Sequence, residues 1–137
     1  VPVLGVCLGM QAIHMLDGGT LTNMDEPLHG RVTSVDWDQK VPRWDGLWKD
    51  MPTPVEVGHY HSWVVDESTG SDAYNTVARN TQGWPMARVH RSLPVAGVQF
   101  HPESVLTPEG RGLLRAWLES AHCCLAISAS KVSLNRS

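Results

Sequence analysis

Hydrophobic and polar positions along this chain fall into short runs broken by glycine, proline and serine. The first run, VPVLGVCLGMQ at residues 1–11, is apolar through Val3, Leu4 and Val6, is interrupted at Gly5 and Gly9, and passes into a helical pattern over residues 11–16. It predicts a buried strand turning sharply into a helix, with Cys7 at the turn and Asp17-Gly18-Gly19 closing the helix. Residues 20–22 predict a short strand, residues 24–30 a polar loop ending in His29-Gly30, and residues 31–37 (RVTSVDW) alternate as a strand does. Residues 44–51 predict a surface turn packed by Trp44 and Trp48. Strands are expected at 54–57 and 63–65, flanking Gly58-His59-Tyr60-His61-Ser62. Beyond a polar loop at 66–72, residues 74–79 and 86–90 predict an antiparallel pair across Thr81-Gln82-Gly83. The second strongly apolar strand, VAGVQF at 95–100, ends at His101-Pro102-Glu103-Ser104. A last helix is expected over 108–120, with Thr107 as its N-cap and Leu113, Leu114, Trp117 and Leu118 on one face. The tail at residues 121–137 has no convincing amphipathic period and is left open as a disordered extension, the start of a linker or foreign sequence.

Composition narrows the class. A chain of 137 residues suits one domain, and a net charge of −3 gives no basic footprint for nucleic acid. No apolar run is long enough to span a bilayer, so no membrane partner is expected. Three cysteines, two of them adjacent (Cys123 and Cys124), do not make a disulfide framework and point to a reducing compartment, the cytoplasm or, in a plant, a plastid. The six tryptophans read as core and loop packing. The chain starts on a strand that needs neighbours on both sides, so the expectation is a domain incomplete at its N-terminus.

The chemistry gathers at two strand ends. A cysteine in a sharp strand-to-helix turn projects its thiol, and the helix N-terminus offers free N–H groups to a thiolate or a developing oxyanion. A lone cysteine in an apolar strand is, on its own, equally a small buried hydrophobe. The second strand end decides between them: His101 follows an apolar strand at the edge where Cys7 sits, and Glu103, across Pro102, can turn its carboxylate to the imidazole. Cys7, His101 and Glu103 are therefore the candidate nucleophile, base and orienting group.

Three blocks, GVCLGMQ (residues 5–11), YHS (60–62) and GVQFHPES (97–104), resemble the signature blocks of class I glutamine amidotransferase domains. HPES, with His29-Gly30 and YHS, is most similar to the glutaminase component of anthranilate synthase and aminodeoxychorismate synthase. The resemblance covers residues 1–119. It implies an α/β fold with a doubly wound, mostly parallel, flavodoxin-like sheet, helices on both faces and a small antiparallel addition. Residues 1–120 would be the C-terminal portion of the domain. Cys7 would form a γ-glutamyl thioester with glutamine, His101 would move the protons and Glu103 would hold the imidazole. The Leu8 N–H would enter the oxyanion hole, Gln11 would reach the substrate, and Ser62 and Trp63 would contact its amino-acid end, largely through backbone. No cofactor and no metal are implied; a zinc site at His59 and His61 has no supporting ligand pattern. The partner implied is a chorismate-binding synthase, as a subunit or a fused domain, which takes the ammonia. Met10, His59 and Trp63 stand where the family more often has His, Arg and Leu. The family's glycine-rich turn with a second oxyanion donor has no counterpart in these residues. Two alternatives remain at this point: a γ-glutamyl hydrolase-like cysteine hydrolase, and a non-catalytic fragment that only binds a partner.

Overall fold

The structure, a computed structural model, describes residues 1–41 and 47–134, with the side chains of all of these except 25–28 and 123–134. The expected packing role of Trp44, the end of the tail at 135–137, and the side chains of Cys123 and Cys124 lie outside what is described. Six strands and two helices follow in the order β1 (Val3–Val6), α1 (Leu8–Leu16), β2 (Thr20–Trp37), β3 (Val55–Asp66), β4 (Tyr74–Asn80), β5 (Pro85–His90), β6 (Val95–Val98) and α2 (Gly110–Leu134). The strands form one sheet in the order β1-β6-β5-β4-β2-β3.

The fold is α/β, and it carries the parallel pairing expected of the doubly wound class at β1·β6, with Val3 opposite Val95 and Val6 opposite Val98. Among the described residues the other pairings are antiparallel, so the antiparallel part, expected as a small addition, makes up most of this sheet. The reason is connection length. A few residues join β4 to β5 and β5 to β6, and short connections can return a chain only antiparallel, whereas β1 and β6 are linked by the rest of the fold.

Glycines let α1 lie directly on the parallel pair. A Cβ added at Gly5 would stand 2.6 Å from the Gly9 carbonyl carbon and 2.7 Å from Ile13 Cδ1, and one at Gly97 would stand 2.8 Å from Met10 Cβ. Strand alternation then turns Leu4, Val6, Ala96 and Val98 to the other face. There they join a core that includes Phe100, Val89, Trp48 and the α2 residues Leu113 and Trp117. Trp48 packs edge-on to Trp37 at 5.5 Å and donates its Nε1–H to the Leu113 carbonyl at 3.0 Å, which anchors α2.

Three expectations need correction. The loop expected at 24–30 lies inside β2, which runs for 18 residues with register shifts between Asn23 and Leu28 and between His29 and Arg31, beside Gly30 at φ 63°. Within this stretch Leu28 pairs with His61 and His29 with Tyr60, and the register shifts absorb the irregular residues on either side. Residues 58–62 likewise are not a connection but the middle of β3. Val55, Val57, His59 and His61 are buried on one face while Glu56 and Tyr60 are exposed, so histidines at inward positions disguised an alternation that only the buried Gly58 interrupts. Finally, α2 does not stop at Ser120: it continues to Leu134, and Ala121, the first residue assigned to the tail, is buried in the core.

The glycine contact makes a prediction. Gly5→Ala forces a methyl group into the Gly9 backbone and is expected to cost about 2 kcal/mol or more in urea unfolding. Gly9→Ala meets nothing within 4 Å and gains helix propensity, so it should be neutral or stabilising by up to about 1 kcal/mol. Equal effects of the two substitutions on the urea midpoint would contradict this packing.

Candidate active site

Cys7 stands one residue past β1 and is the N-terminal boundary residue of α1, at φ 52° and ψ −104°. A side chain at positive φ costs of order 1–3 kcal/mol and persists only where its surroundings enforce it. Two backbone bonds do so here: the Cys7 N–H donates to the Val98 carbonyl at 2.7 Å, and the Gln11 N–H donates to the Cys7 carbonyl at 3.2 Å. The first bond extends the parallel pairing by one step and sets the elbow against the end of β6.

Burial pushes the Cys7 thiol above its ordinary range, and the negative charge of Glu103 adds to this. The Leu8 N–H and the Gln99 side-chain amide act in the opposite direction, as donors to the sulfur. Helix-end donors are therefore present as expected, but desolvation outweighs them, so the resting group is a thiol that needs a base. Gln99 Nε2 lies 3.7 Å from Sγ.

His101 is held three residues beyond Val98 by a tight knot. Its N–H donates to the Gly58 carbonyl at 3.0 Å, and its own carbonyl accepts from Thr107 Oγ1 at 2.7 Å. The same Thr107 oxygen accepts the Gly58 N–H at 2.9 Å. Thr107 thus pins His101 to β3 instead of capping α2, which begins at Gly110. The imidazole Nδ1 meets Glu103 Oε1 at 2.5 Å, and Tyr60 packs edge-on to the ring at 5.2 Å. With Nδ1 engaged, Nε2 is the nitrogen left for chemistry. No hydrogen bond joins His101 to Cys7 among the described residues; the two are brought to neighbouring strand ends, and the field of Glu103 reaches the thiol.

The expected substrate contacts are placed differently from one another. Gln11 is buried and gives its Nε2 to the Trp63 carbonyl at 2.8 Å and to Gln99 Oε1 at 3.2 Å, so a substrate contact would fall to its Oε1. The Trp63 carbonyl, accepting from Gln11 and also from His61 Nδ1 at 3.0 Å, is already occupied, and the indole is half-exposed. Ser62 Oγ lies 3.1 Å from His29 Nε2. Leu8 is exposed. A cleft of about 480 Å³ opens beside Glu103, lined by Pro102, Ser104, Arg111, Leu114 and Leu118.

His59 and His61 are a buried pair joined at 2.8 Å, and burial lowers both, His59 to about 3. His59 Nε2 meets Thr33 Oγ1 at 2.5 Å, so all four ring nitrogens have protein partners and none is left for a metal. Gln99, Thr107 and Tyr60 are site residues that sequence reasoning missed. Two of them carried a signal: Tyr60 stands in the YHS block, and Gln99 is the only polar side chain in VAGVQF.

Removing the Glu103 charge separates its two effects. In Glu103→Gln the Cys7 thiol should ionise at lower pH and react faster with iodoacetamide at pH 7. Any turnover that uses His101 as its base should meanwhile fall about a hundredfold or more as the imidazole loses its orienting carboxylate. Parallel changes in both assays would contradict this placement of Glu103.

Comparison with known proteins adds independent findings. The family model described as "Glutamine amidotransferase class-I" matches residues 1–121. The chain is 38% identical over 120 residues to anthranilate synthase component 2 of Azospirillum brasilense, and 33% identical over 120 residues to aminodeoxychorismate/anthranilate synthase component 2 of Bacillus subtilis. Each match covers 88% of this chain and 59% of the relative, so the chain spans less than two-thirds of those proteins. Among solved structures, a putative GMP synthase subunit from Thermoplasma acidophilum superposes with a TM-score of 0.80 over 93% of this chain and 61% of its own, at 23% identity, a likeness of fold.

Proposed function

Since this chain belongs to the class I glutamine amidotransferase family, we propose that it is the glutaminase component, or part of one, that supplies ammonia to a chorismate-using synthase. The observation that carries the reading is the pairing of two strand ends: a cysteine forced to positive φ beside a histidine whose Nδ1 is held by a carboxylate.

In this reaction His101 Nε2 takes the Cys7 proton and the sulfur attacks the side-chain carbonyl of glutamine. The oxyanion forms against the Leu8 N–H. As the C–N bond breaks, the imidazolium returns its proton to the nitrogen, ammonia leaves, and a γ-glutamyl thioester remains. His101 then takes a proton from water, the hydroxide attacks the thioester, and glutamate departs as the thiol is restored. Glu103 keeps Nδ1 protonated, so that Nε2 presents a lone pair at the start of each half-reaction. Gln11 reaches the substrate glutamine through Oε1, and Ser62 and Trp63 contact its amino-acid end. A high-lying thiol suits this scheme: deprotonation is coupled to substrate arrival, and the idle site stays protonated.

Ammonia protonates in water and loses its nucleophilicity, which favours delivery to a docked synthase, whether a separate protein or a fused domain. The names of the relatives support anthranilate or aminodeoxychorismate synthesis as the setting, and the free Cys7 thiol fits a cytoplasmic one. Among the described residues no helix is long and apolar enough to cross a membrane.

The test is glutamate release from glutamine by the full chain, alone and with a chorismate-using synthase. Cys7→Ser and His101→Asn should each lower kcat by about 10³-fold or more while far-UV circular dichroism is unchanged. Turnover that survives Cys7→Ser would overturn the reading. So would cleavage of γ-glutamyl peptides without glutamine hydrolysis, which would make the chain a γ-glutamyl hydrolase.

A further inference from the structure

A hydrogen-bonded chain crosses the core from β2 to the thiol, and the direction of every bond in it can be read. It passes through a backbone carbonyl, Trp63 O, which can only accept. Gln11 must therefore turn its Nε2 towards Trp63 O, at 2.8 Å, and the second hydrogen of the same nitrogen goes to Gln99 Oε1, at 3.2 Å. Gln99 then has only its Nε2 to present to Cys7 Sγ, at 3.7 Å. Flipping either amide would set two donors or two acceptors against each other. The other side of the carbonyl is fixed in the same way. His59 and His61 are neutral, so His61 Nδ1–H donates to Trp63 O at 3.0 Å, His61 Nε2 accepts from His59 Nδ1–H at 2.8 Å, and His59 Nε2 accepts the Thr33 hydroxyl. Gln99 is itself fully buried just past β6, where an unpaired amide would be costly, and its backbone N–H is tied to the Met86 carbonyl at 2.8 Å.

We propose that Gln99 is a positioning residue for Cys7: locked by Gln11 from behind, its amide directs an N–H at Sγ, orients the sulfur in the elbow and stabilises the thiolate formed during catalysis. This rests on the reading of Cys7 as the nucleophile. The donor matters most at the two moments when the sulfur is anionic, before attack and as the thioester collapses, and least while the sulfur is acylated and a poor acceptor. Among the described residues few charged or titratable groups stand near the thiol. Glu103 and His101 sit on the segment after β6, His59 and His61 stand on β3 behind Trp63, and α1 brings His14, which is engaged with Asp66 and Arg88 on the far part of the helix.

Gln99→Met keeps the volume and removes both donor and acceptor. The test follows alkylation of Cys7 by iodoacetamide across pH, by peptide mass spectrometry, in the full chain and in this variant. The expected result is a folded variant, by circular dichroism, in which Cys7 reacts about tenfold more slowly at pH 7 and the whole profile moves to higher pH. Superimposed profiles would overturn the proposal, because a purely structural glutamine would change stability and leave the profile in place. If Gln99→Met does not fold, the unsubstituted chain still decides. The Gln99 side-chain amide resonances should titrate with the alkylation midpoint and lose that step in Cys7→Ser; resonances indifferent to pH would refute the contact. Glutamine turnover is measured separately in the unsubstituted chain: its absence counts against the glutaminase reading, while the alkylation profile decides the role of Gln99.

Discussion

Two parallel strands of four residues each present the candidate catalytic groups at their ends, and they do so only because a helix can lie on their glycines. Gly5 and Gly97 stand opposite each other in register, and the Cβ either one lacks would overlap α1. With α1 that close, the chain has no room for a gradual exit from β1 and must turn within one residue, which places Cys7 at positive φ. The same register carries the Cys7 N–H to the Val98 carbonyl, so the elbow is measured against β6, the strand that leads to His101. The proposed nucleophile and base are thus set by one backbone pairing, and the antiparallel remainder of the sheet supports it. Through the Gly58–His101–Thr107 knot, β3 fixes the far end of that support.

Electrostatically the site is built around a thiol that burial keeps neutral. A helix N-terminus favours a thiolate, and the Leu8 N–H does point at the sulfur, yet desolvation and the Glu103 carboxylate prevail. A permanently ionised cysteine would be the better nucleophile and also the easier target for oxidation. In the proposed scheme the anion forms only when His101 takes the proton, with the imidazole oriented through its bond to Glu103. In that scheme the donors around Sγ hold it for the step in which it exists.

The elbow, the strand-end histidine and its carboxylate were legible because each is local: glycine spacing, a polar H-P-E after an apolar strand, and a helical period after the cysteine. What escaped is non-local. β2 and β3 read as broken strands because His59 and His61 occupy inward positions and residues 24–30 look like a loop, whereas cross-strand pairing settles both. Thr107 has the spacing of a helix cap, but its hydroxyl is taken by residues 49 and 6 positions away. The continuation of α2 past Ser120 has no amphipathic period to announce it. Gln99 was visible as a polar residue in an apolar strand, and only the fold shows that its amide faces the thiol. The parallel class was inferred from the family blocks, while among the described residues the parallel character is confined to one pair.

The central claim, that Cys7 is a nucleophile towards the side-chain amide of glutamine, is tested most directly by trapping the covalent intermediate. The full chain is mixed with glutamine, quenched in acid within the first turnover, digested, and read by peptide mass spectrometry. A γ-glutamyl adduct confined to the peptide that carries Cys7, and absent from Cys7→Ser, is the result expected. An adduct on another residue, or glutamate formed with no adduct at any quench time in a variant that slows thioester hydrolysis, would contradict the account.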